Sequence, residues 1–413
     1  MVFKDLNRKF FAFFLGLGLA SIPAWGNLNF IKDNSLFNLP KSSSQRSVSE
    51  EKNFPVQNLK PESEPEFNAE KFKINYTYNE ELESFIKKQL SLYRPDYTSV
   101  VVLDNETGHI LAALDYSRGA NNFSRQLAFS NSHPAASIFK VITAADLLEN
   151  THIKVDTEFS FTGRSTTLYR HQLKEASNRR WTRRLDLHRA FATSNNVIFG
   201  RTAIENLTPA GLKKMAEKFG FNRRLLDGVY LPPSVFKMAQ DQYNLAEYSS
   251  GLNNDTLMSP VHGAVIASVV ANGGLFRYPK VIESLVDIKD GKVHHPPLRK
   301  EEQIISPQSA DDLRNLFMGT ITEGTARTSF RRSRYLLNKL EIGGKTGSLT
   351  GGEPYGKRDW FVSYAKQIDD KMDKGISVCV MIVNQKKWYV KSPLIAKNIM
   401  EFYYSSMYPR IKK

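Results

Sequence analysis

The strongest constraint on the fold is the position of the β-rich segments, which lie toward the two ends of the chain. Two runs, "TSVVVLD" and "HILAALDY", are separated by Asn105-Glu106-Thr107-Gly108, a hairpin signal. Three more runs, "LEIGGKTGSL", "RDWFVSYA" and "GISVCVMIV", come near the other end, and the pattern between is mostly helical. We therefore predict an α/β (α+β) fold. It has a mainly antiparallel sheet built from both ends and flanked by helices, plus an all-helical subdomain at about 150–335.

The N-terminus has the order of an export signal. Lys4, Arg8 and Lys9 precede "FFAFFLGLGLASIPAWG", a basic region followed by an apolar run and small residues. The apolar run is shorter than the ~20 residues of a comfortable membrane span, so 1–26 is predicted to be a signal peptide or an N-terminal membrane anchor. Residues 27–70, rich in Ser, Pro, Glu, Lys and Asn, are predicted to be a disordered tether. Residues 71–413 then form the folded domain, on the periplasmic or envelope side.

The formal net charge of +15 means that nucleic acid, anionic lipid and an anionic wall polymer all have to be considered as partners, and charge alone does not choose among them. Nucleic acid is not expected, because the chain is predicted to be exported and carries no recognisable reading module. The densest basic stretch, 164–189, has eight Lys or Arg residues against Glu175 and Asp186. It is either a solvated helix-and-loop face or a surface for an anionic wall polymer or acidic partner.

The stretch "HPAASIFKVITAADLLEN" reads as an apolar helix, yet it holds Ser137 and Lys140 in its first turn. A helix brings positions i and i+3 onto one face, so the Lys140 ammonium group is expected beside the Ser137 hydroxyl. A free lysine has a pKa of about 10.4 and is a poor base, but burial or a second cation lowers that pKa toward about 7–8. The pair is therefore a candidate nucleophile and base.

A Ser-x-x-Lys pattern is a weak signal by itself, because this chain contains five of them. The others begin at Ser49, Ser84, Ser234 and Ser363, and Ser234 is the only serious competitor. What favours Ser137 is the order of the motifs that follow. Ser194-x-Asn196 and Lys345-Thr346-Gly347 each occur once, and this order is typical of penicillin-recognising serine enzymes.

With these motifs, the chain resembles the transpeptidase domain of penicillin-binding proteins over roughly 72–407. "VVLDNETGHILAAL", "LHRAFATSNNVIFG", "GGKTGSLTGGEPYGKRDWFVSYA", "SPVHGAVIASVVANGGLFRYP" and "GTITEGTA" all contribute to the resemblance. It implies that Ser137 attacks a D-Ala-D-Ala carbonyl and that Lys140 accepts its proton. Ser194 would relay a proton to the departing D-alanine, and Asn196 would hold the substrate amide.

The third motif has implied roles as well. Lys345 would keep the local potential positive and attract the substrate carboxylate, which Thr346 would bind. Gly347 would leave space for a substrate along the strand edge, and the N–H groups of Ser137 and Ser348 would form the oxyanion hole. The resemblance implies no metal and no organic cofactor. Its implied partners are peptidoglycan stem peptides, β-lactams as covalent inhibitors, cell-wall synthesis proteins, and the membrane through the N-terminal segment.

Three alternatives remain open from the sequence. Water in place of an acceptor amine would make the enzyme a D,D-carboxypeptidase. A serine β-lactamase shares the fold, although no Glu-x-x-Leu-Asn pattern follows Ser194. A non-catalytic penicillin sensor or scaffold of wall synthesis is the third.

Few residues precede the first strand, so we expect a stand-alone transpeptidase domain.

Overall fold

The computed structural model describes residues 72–174 and 179–408, so the predicted export segment and tether lie outside the described residues. Its strands are β1 (Phe72–Tyr76), β2 (Tyr97–Asp104), β3 (Ile110–Ser117), β4 (Asn122–Ser124), β5 (His133–Pro134), β6 (Glu158–Phe161), β7 (Arg183–Asp186), β8 (Leu257–Met258), β9 (Leu275–Phe276), β10 (Ile282–Asp287), β11 (Val293–His294), β12 (Glu302–Gln303), β13 (Leu340–Gly351), β14 (Gly356–Gln367) and β15 (Ile376–Asn384).

Its α-helices are α1 (Glu80–Tyr93), α2 (Lys140–Asn150), α3 (Leu187–Ala192), α4 (Asn196–Asn206), α5 (Pro209–Lys218), α6 (Gln242–Ser250), α7 (Pro260–Ala271), α8 (Pro307–Thr322), α9 (Arg327–Phe330), α10 (Arg334–Leu337) and α11 (Ser392–Phe402). Short 3-10 turns lie at Ala136–Phe139, Arg170–Leu173 and Arg179–Trp181, and a π-helical turn lies at Tyr403–Met407. Within the described ranges, no helix is both long and apolar enough to span a bilayer.

The main sheet joins the two ends of the domain, as predicted. Its six strands are antiparallel in the order β13-β14-β15-β2-β3-β4, and β2 and β3 form the predicted hairpin. All nine residues of β15 are buried, because helices cover both faces of the sheet. Val378, Val380 and Ile382 pack toward α1 and α11, whereas Cys379 and Met381 pack on the opposite face with α2 and α7.

Helix α7 is the central helix of the second face. All twelve of its residues are buried, which explains a sequence that is apolar around the whole helix. It packs on β15, β14 and β2, while α8 packs on β13. Gly263 allows α7 to approach β15 closely, since a Cβ at position 263 would lie 2.7 Å from Cys379 Sγ. Helices from the middle of the chain therefore form one layer of the domain.

The prediction that 150–335 is all-helical is wrong in one respect, although the mixed fold with a largely antiparallel sheet is confirmed. Strand β6 pairs with β7, β9 pairs with β12, and β10 pairs with both β1 and β11. These strands have two to six residues, too few to show a clear period of two. Strand β1, one of the two partners of β10, also lies far away in sequence, so no local pattern predicts that pairing.

Candidate active site

Ser137 lies in the 3-10 turn Ala136–Phe139, directly before α2, of which Lys140 is the first residue. Lys140 Nζ donates to Ser137 Oγ at 3.0 Å, as the spacing predicts. We call Ala136–Phe139 the Ser137 turn. Gly251, the C-cap of α6, packs directly against it with a φ of +67°, and a Cβ at that position would overlap the Ala136 carbonyl oxygen. The end of α6 therefore fixes the position of the backbone at Ser137.

Lys140 is completely buried and has three acceptors. Besides Ser137, its Nζ donates to Asn196 Oδ1 at 2.7 Å and to the Ser250 carbonyl at 2.5 Å. Burial lowers the pKa of Lys140 well below its usual value, and the positive charge of Lys345 lowers it further. Three donated hydrogen bonds use every proton of a charged ammonium group. The neutral amine keeps two N–H donors and one lone pair, and that lone pair lies within reach of the Ser137 proton.

The second motif lies at the junction of α3 and α4. Ser194 has a φ of +59°, a backbone conformation that residues other than glycine rarely adopt. The junction is held by Asn195, whose N–H donates to the Ala190 carbonyl at 2.8 Å and whose Oδ1 accepts from Ile198 N at 3.0 Å. This geometry turns Ser194 Oγ toward Lys345 Nζ, at 2.9 Å.

Both ends of the Asn196 amide have partners within the protein. Its Oδ1 accepts from Lys140, and its Nδ2 donates to the Thr166 carbonyl at 2.9 Å. Its backbone N–H donates to the Ser165 carbonyl at 2.7 Å. Asn196 therefore joins Lys140 to the loop at 162–174, and its predicted contact with a substrate amide stays a prediction.

The third motif lies on β13, the edge strand of the main sheet. Lys345 is completely buried, and burial lowers its pKa to about 7. Its Nζ donates to Ser194 Oγ and, at 3.0 Å, to the Thr346 carbonyl. Thr346 is half-buried and Ser348 is exposed. The structure thus places Ser137, Lys140 and Asn196 in one set of hydrogen bonds and Ser194 and Lys345 in a second set, and Lys345 is near enough for its charge to act on Lys140.

Gly347 packs against the Ser137 turn. A Cβ at position 347 would lie 3.2 Å from Ile138 Cγ1 and 3.3 Å from the Ile138 backbone N. The expected reason for this glycine was clearance for a substrate. In the structure the glycine leaves room for Ile138, so β13 can approach the segment that carries Ser137. The predicted clearance for a substrate stays a prediction.

Two contact residues were not predicted. Ser250 contributes only its backbone carbonyl, which no side-chain pattern reveals, although a glycine after a helical pattern marks such a C-terminus. Thr325 follows α8, and its hydroxyl is hydrogen-bonded to that of Thr346. It lies in "GTITEGTA", which contributed to the family resemblance without being assigned a role.

The competing Ser-x-x-Lys patterns do not join this site. Ser84 is exposed on α1, and buried Ser363 donates to the Val378 carbonyl on a neighbouring strand. Ser234 is buried, whereas Lys237 is exposed and its Nζ lies 3.8 Å from Asp255. Ser49 lies outside the described residues.

A buried amine beside a serine hydroxyl, with a second Lys and Ser pair next to it, is an arrangement suited to nucleophilic acyl transfer. The amine with the lowered pKa supplies a base, and the second cation supplies a positive potential. Across 72–174 and 179–408, no group of three or more His, Cys, Asp or Glu side chains is placed to hold a metal ion.

The chain is similar to known proteins in sequence and in fold. Among curated proteins, the chain is 25% identical over 209 residues to "Peptidoglycan D,D-transpeptidase PbpA" of Mycolicibacterium smegmatis, which covers 48% of this chain and 38% of that protein. It is 23% identical over 336 residues to the protein of the same description from Mycobacterium tuberculosis, and the match covers 72% of this chain and 64% of that protein. The chain therefore spans less than two thirds of the length of these relatives.

Solved structures share the fold. The D,D-transpeptidase domain of a peptidoglycan glycosyltransferase from Eggerthella lenta has a TM-score of 0.63 at 22% identity, over 80% of this chain and 82% of that one. An imipenem acyl-enzyme complex of penicillin-binding protein A from M. tuberculosis has a TM-score of 0.60 at 21% identity, over 80% of this chain and 79% of that one. Residues 98–401 match the family described as "Penicillin binding protein transpeptidase domain", and the chain therefore belongs to that family.

Proposed function

We propose that this protein is a serine acyltransferase that acts on D-Ala-D-Ala stem peptides in peptidoglycan cross-linking. The observation that carries the proposal is the 3.0 Å contact between Ser137 Oγ and the fully buried amine of Lys140. Support also comes from the relatives described as peptidoglycan D,D-transpeptidases and from the β-lactam acyl-enzymes formed by a structural neighbour.

In the first step, neutral Lys140 accepts the Ser137 proton while Oγ attacks the carbonyl carbon of the penultimate D-alanine. The N–H groups of Ser137 and Ser348 stabilise the oxyanion. The C–N bond then breaks. Ser194, which contacts Lys345 at 2.9 Å, relays the proton that Lys140 accepted to the departing amine, so Lys140 is neutral again. The products of this step are free D-alanine and an ester on Ser137.

Lys345 and Thr346 bind the substrate's terminal carboxylate in this proposal. The charge of Lys345 has a second effect, because it lowers the pKa of Lys140 and so favours the neutral base. In the second step, an amine of a neighbouring stem peptide attacks the ester, a new amide bond forms, and the Ser137 hydroxyl is restored. Water in place of the amine would release a shortened peptide.

A fluorescent penicillin tests the assignment of the nucleophile. We expect one stable label per molecule of the full chain, lost in Ser137→Ala and retained in Ser234→Ala. The second variant removes the hydroxyl of the competing pattern. Label retained in Ser137→Ala would refute the assignment, and folded wild-type protein that takes no label would favour the non-catalytic scaffold. Rapid turnover of a chromogenic cephalosporin would indicate a β-lactamase.

The products then distinguish the two acyl acceptors. We expect mass spectrometry of stem peptides after incubation to show cross-linked dimers, whereas trimmed monomers alone would indicate a carboxypeptidase.

Domains of this family are cell-wall enzymes that act on the extracellular side of the membrane. We propose that 1–26 directs export and that the domain works at the outer face of the cytoplasmic membrane.

A further inference from the structure

One side of the site is formed by the loop at 162–174. The Ser165 carbonyl accepts from Asn196 N at 2.7 Å, and the Thr166 carbonyl accepts from Asn196 Nδ2 at 2.9 Å. Asn196 in turn contacts Lys140. The loop is therefore one residue away from the reacting pair.

The loop is held by one buried side chain, Gln172. Its Oε1 accepts from Thr167 Oγ1 at 3.0 Å and from Tyr169 N at 2.9 Å. Its Nε2 donates at 3.2 Å to the carbonyls of Thr162 and Arg164. These four bonds tie the loop across its width, so the side chains on its outer surface start from fixed backbone positions.

The outer surface of the loop is basic and aromatic. Its exposed side chains include Arg164, Tyr169, Arg170, His171 and Lys174. The rings of Tyr169 and His171 stack with centroids 5.6 Å apart. Exposed Arg183 adds a further cation, because its guanidinium donates to the Gly163 carbonyl. We call these six residues the basic rim.

The positive charge of the basic rim is not neutralised within the described structure. The loop at 162–174 contains no Asp or Glu. No ion pair joins Arg164, Arg170, Lys174 or Arg183 to a carboxylate of the described residues. Arg170 instead lies over the Tyr243 ring at 4.5 Å, a contact that leaves its charge available. Such a surface favours an anionic ligand.

We propose that the basic rim is a substrate-recognition surface that binds carboxylate groups on the peptide chains of the polymer whose reacting end lies at Ser137. The proposal rests on the proposed function, since it assigns the loop to the same substrate. A peptide is favoured over another anionic partner because the loop is bonded directly to Asn196, so the ligand on the rim and the ligand in the site are expected to be one molecule. A small β-lactam has no chain to place there.

This difference in ligand size provides the test. The double variant Arg164→Glu and Arg170→Glu reverses two charges of the rim, and Arg164→Lys with Arg170→Lys keeps both charges. Lys87→Glu with Lys88→Glu reverses two charges on α1, which covers the other face of the sheet. Each full-length variant is measured for its Kd with soluble, un-cross-linked peptidoglycan chains at low and high salt. Each is also measured for its acylation rate with a small penicillin.

We expect the Glu variant of the rim to bind the chains about tenfold more weakly at low salt and with a weaker salt dependence. Its penicillin acylation rate should be unchanged, and the Lys variant and the α1 variant should bind as the wild type does. Equal chain binding by the Glu variant would overturn the proposal, and so would an equal loss by the α1 variant.

Two further outcomes would also overturn the inference. One is a loss of penicillin acylation in the Glu variant equal to its loss of chain binding, because the loop would then act on the site itself. The other is equal binding by the wild type of chains whose carboxyl groups have been amidated. Failure of the proposed function would look different, since wild-type protein would take no label at Ser137 whatever the rim binds.

Discussion

The guanidinium of Arg358 lies 3.2 Å from Nδ1 of His133, and both side chains are completely buried. Burial, followed by the charge of Arg358, lowers the pKa of His133 to about 3, so the imidazole is neutral. Arg358 also donates to the carbonyls of Pro354 at 2.9 Å and Gly356 at 3.2 Å. It thereby ties the β13–β14 hairpin to β5, the short strand that leads into the Ser137 turn.

We expect Arg358→Met to lower the free energy of unfolding by about 3 kcal/mol, because it leaves buried acceptors without a donor while roughly preserving side-chain volume. Arg332→Met, on an exposed side chain, should change that free energy by less than about 0.5 kcal/mol. Denaturant unfolding measures both. If the two variants are equally stable, Arg358 does not hold the hairpin to β5.

Gly251 and Gly273 form a matched pair, because both have a φ of +67° but differ in their surroundings. A Cβ at 251 would overlap the Ala136 carbonyl oxygen, whereas a Cβ at 273 would have no heavy atom within 4 Å. Gly273→Ala should cost only the strain of an L-residue in the left-handed region, about 1–2 kcal/mol. Gly251→Ala should cost more and should also displace the Ser137 turn.

Thermal unfolding and penicillin acylation rates separate the two effects. We expect acylation to fall at least about tenfold in Gly251→Ala, since small errors in the position of a nucleophile are costly, and to be unchanged in Gly273→Ala. Equal acylation by both variants would mean that α6 does not position Ser137.

The sequence predicts the parts of the fold that have long, continuous patterns. The apolar runs of β2, β14 and β15 are longer than the apolar runs of a loop, so these strands are predicted. The contact between Ser137 and Lys140 is also predicted, because helical geometry alone brings positions three apart together. The short pairs β6–β7 and β9–β12 have too few residues to show a period, which is why 150–335 reads as helical.

Contacts between distant segments could not be predicted from local patterns. The positive φ of Ser194 and its approach to Lys345 depend on how α3, α4 and β13 pack together. The Ser250 carbonyl is a backbone group, so its role leaves no residue preference at that position. The contact of Gly347 with Ile138 was not predicted, because the sequence does not show which segment lies against a strand edge.

The proximity of Lys140 and Lys345 predicts how the acylation rate depends on pH. Acylation requires neutral Lys140, so its rate should fall as the pH drops through the pKa of that amine. The charge of Lys345 lowers this pKa, and its removal in Lys345→Met should raise it. The acidic limb of the pH profile for penicillin acylation should therefore move to higher pH.

Lys357→Met, which removes an exposed cation from β14, serves as the control for net charge and should leave the profile in place. An acidic limb that stays fixed in Lys345→Met, or moves to lower pH, would show that Lys345 does not depress the pKa of Lys140.

The hydroxyl pair of Thr325 and Thr346 links the third motif to the end of α3. Thr325 Oγ1 is hydrogen-bonded to Thr346 Oγ1, and Thr325 N donates to the Ala192 carbonyl at 3.0 Å, two residues before Ser194. Thr325→Val keeps the shape but removes the hydroxyl, so Thr346 loses the partner that orients it. We expect penicillin acylation to fall about 3- to 10-fold, as for the loss of one hydrogen bond.

Thr325→Ser should retain the wild-type rate. Thr322→Val makes the same chemical change on the exposed end of α8 and should have no effect on acylation. Since Thr325 is exposed, the melting temperature should not change in any of the three variants. An acylation rate in Thr325→Val equal to that of Thr325→Ser would show that Thr346 is oriented without this hydrogen bond.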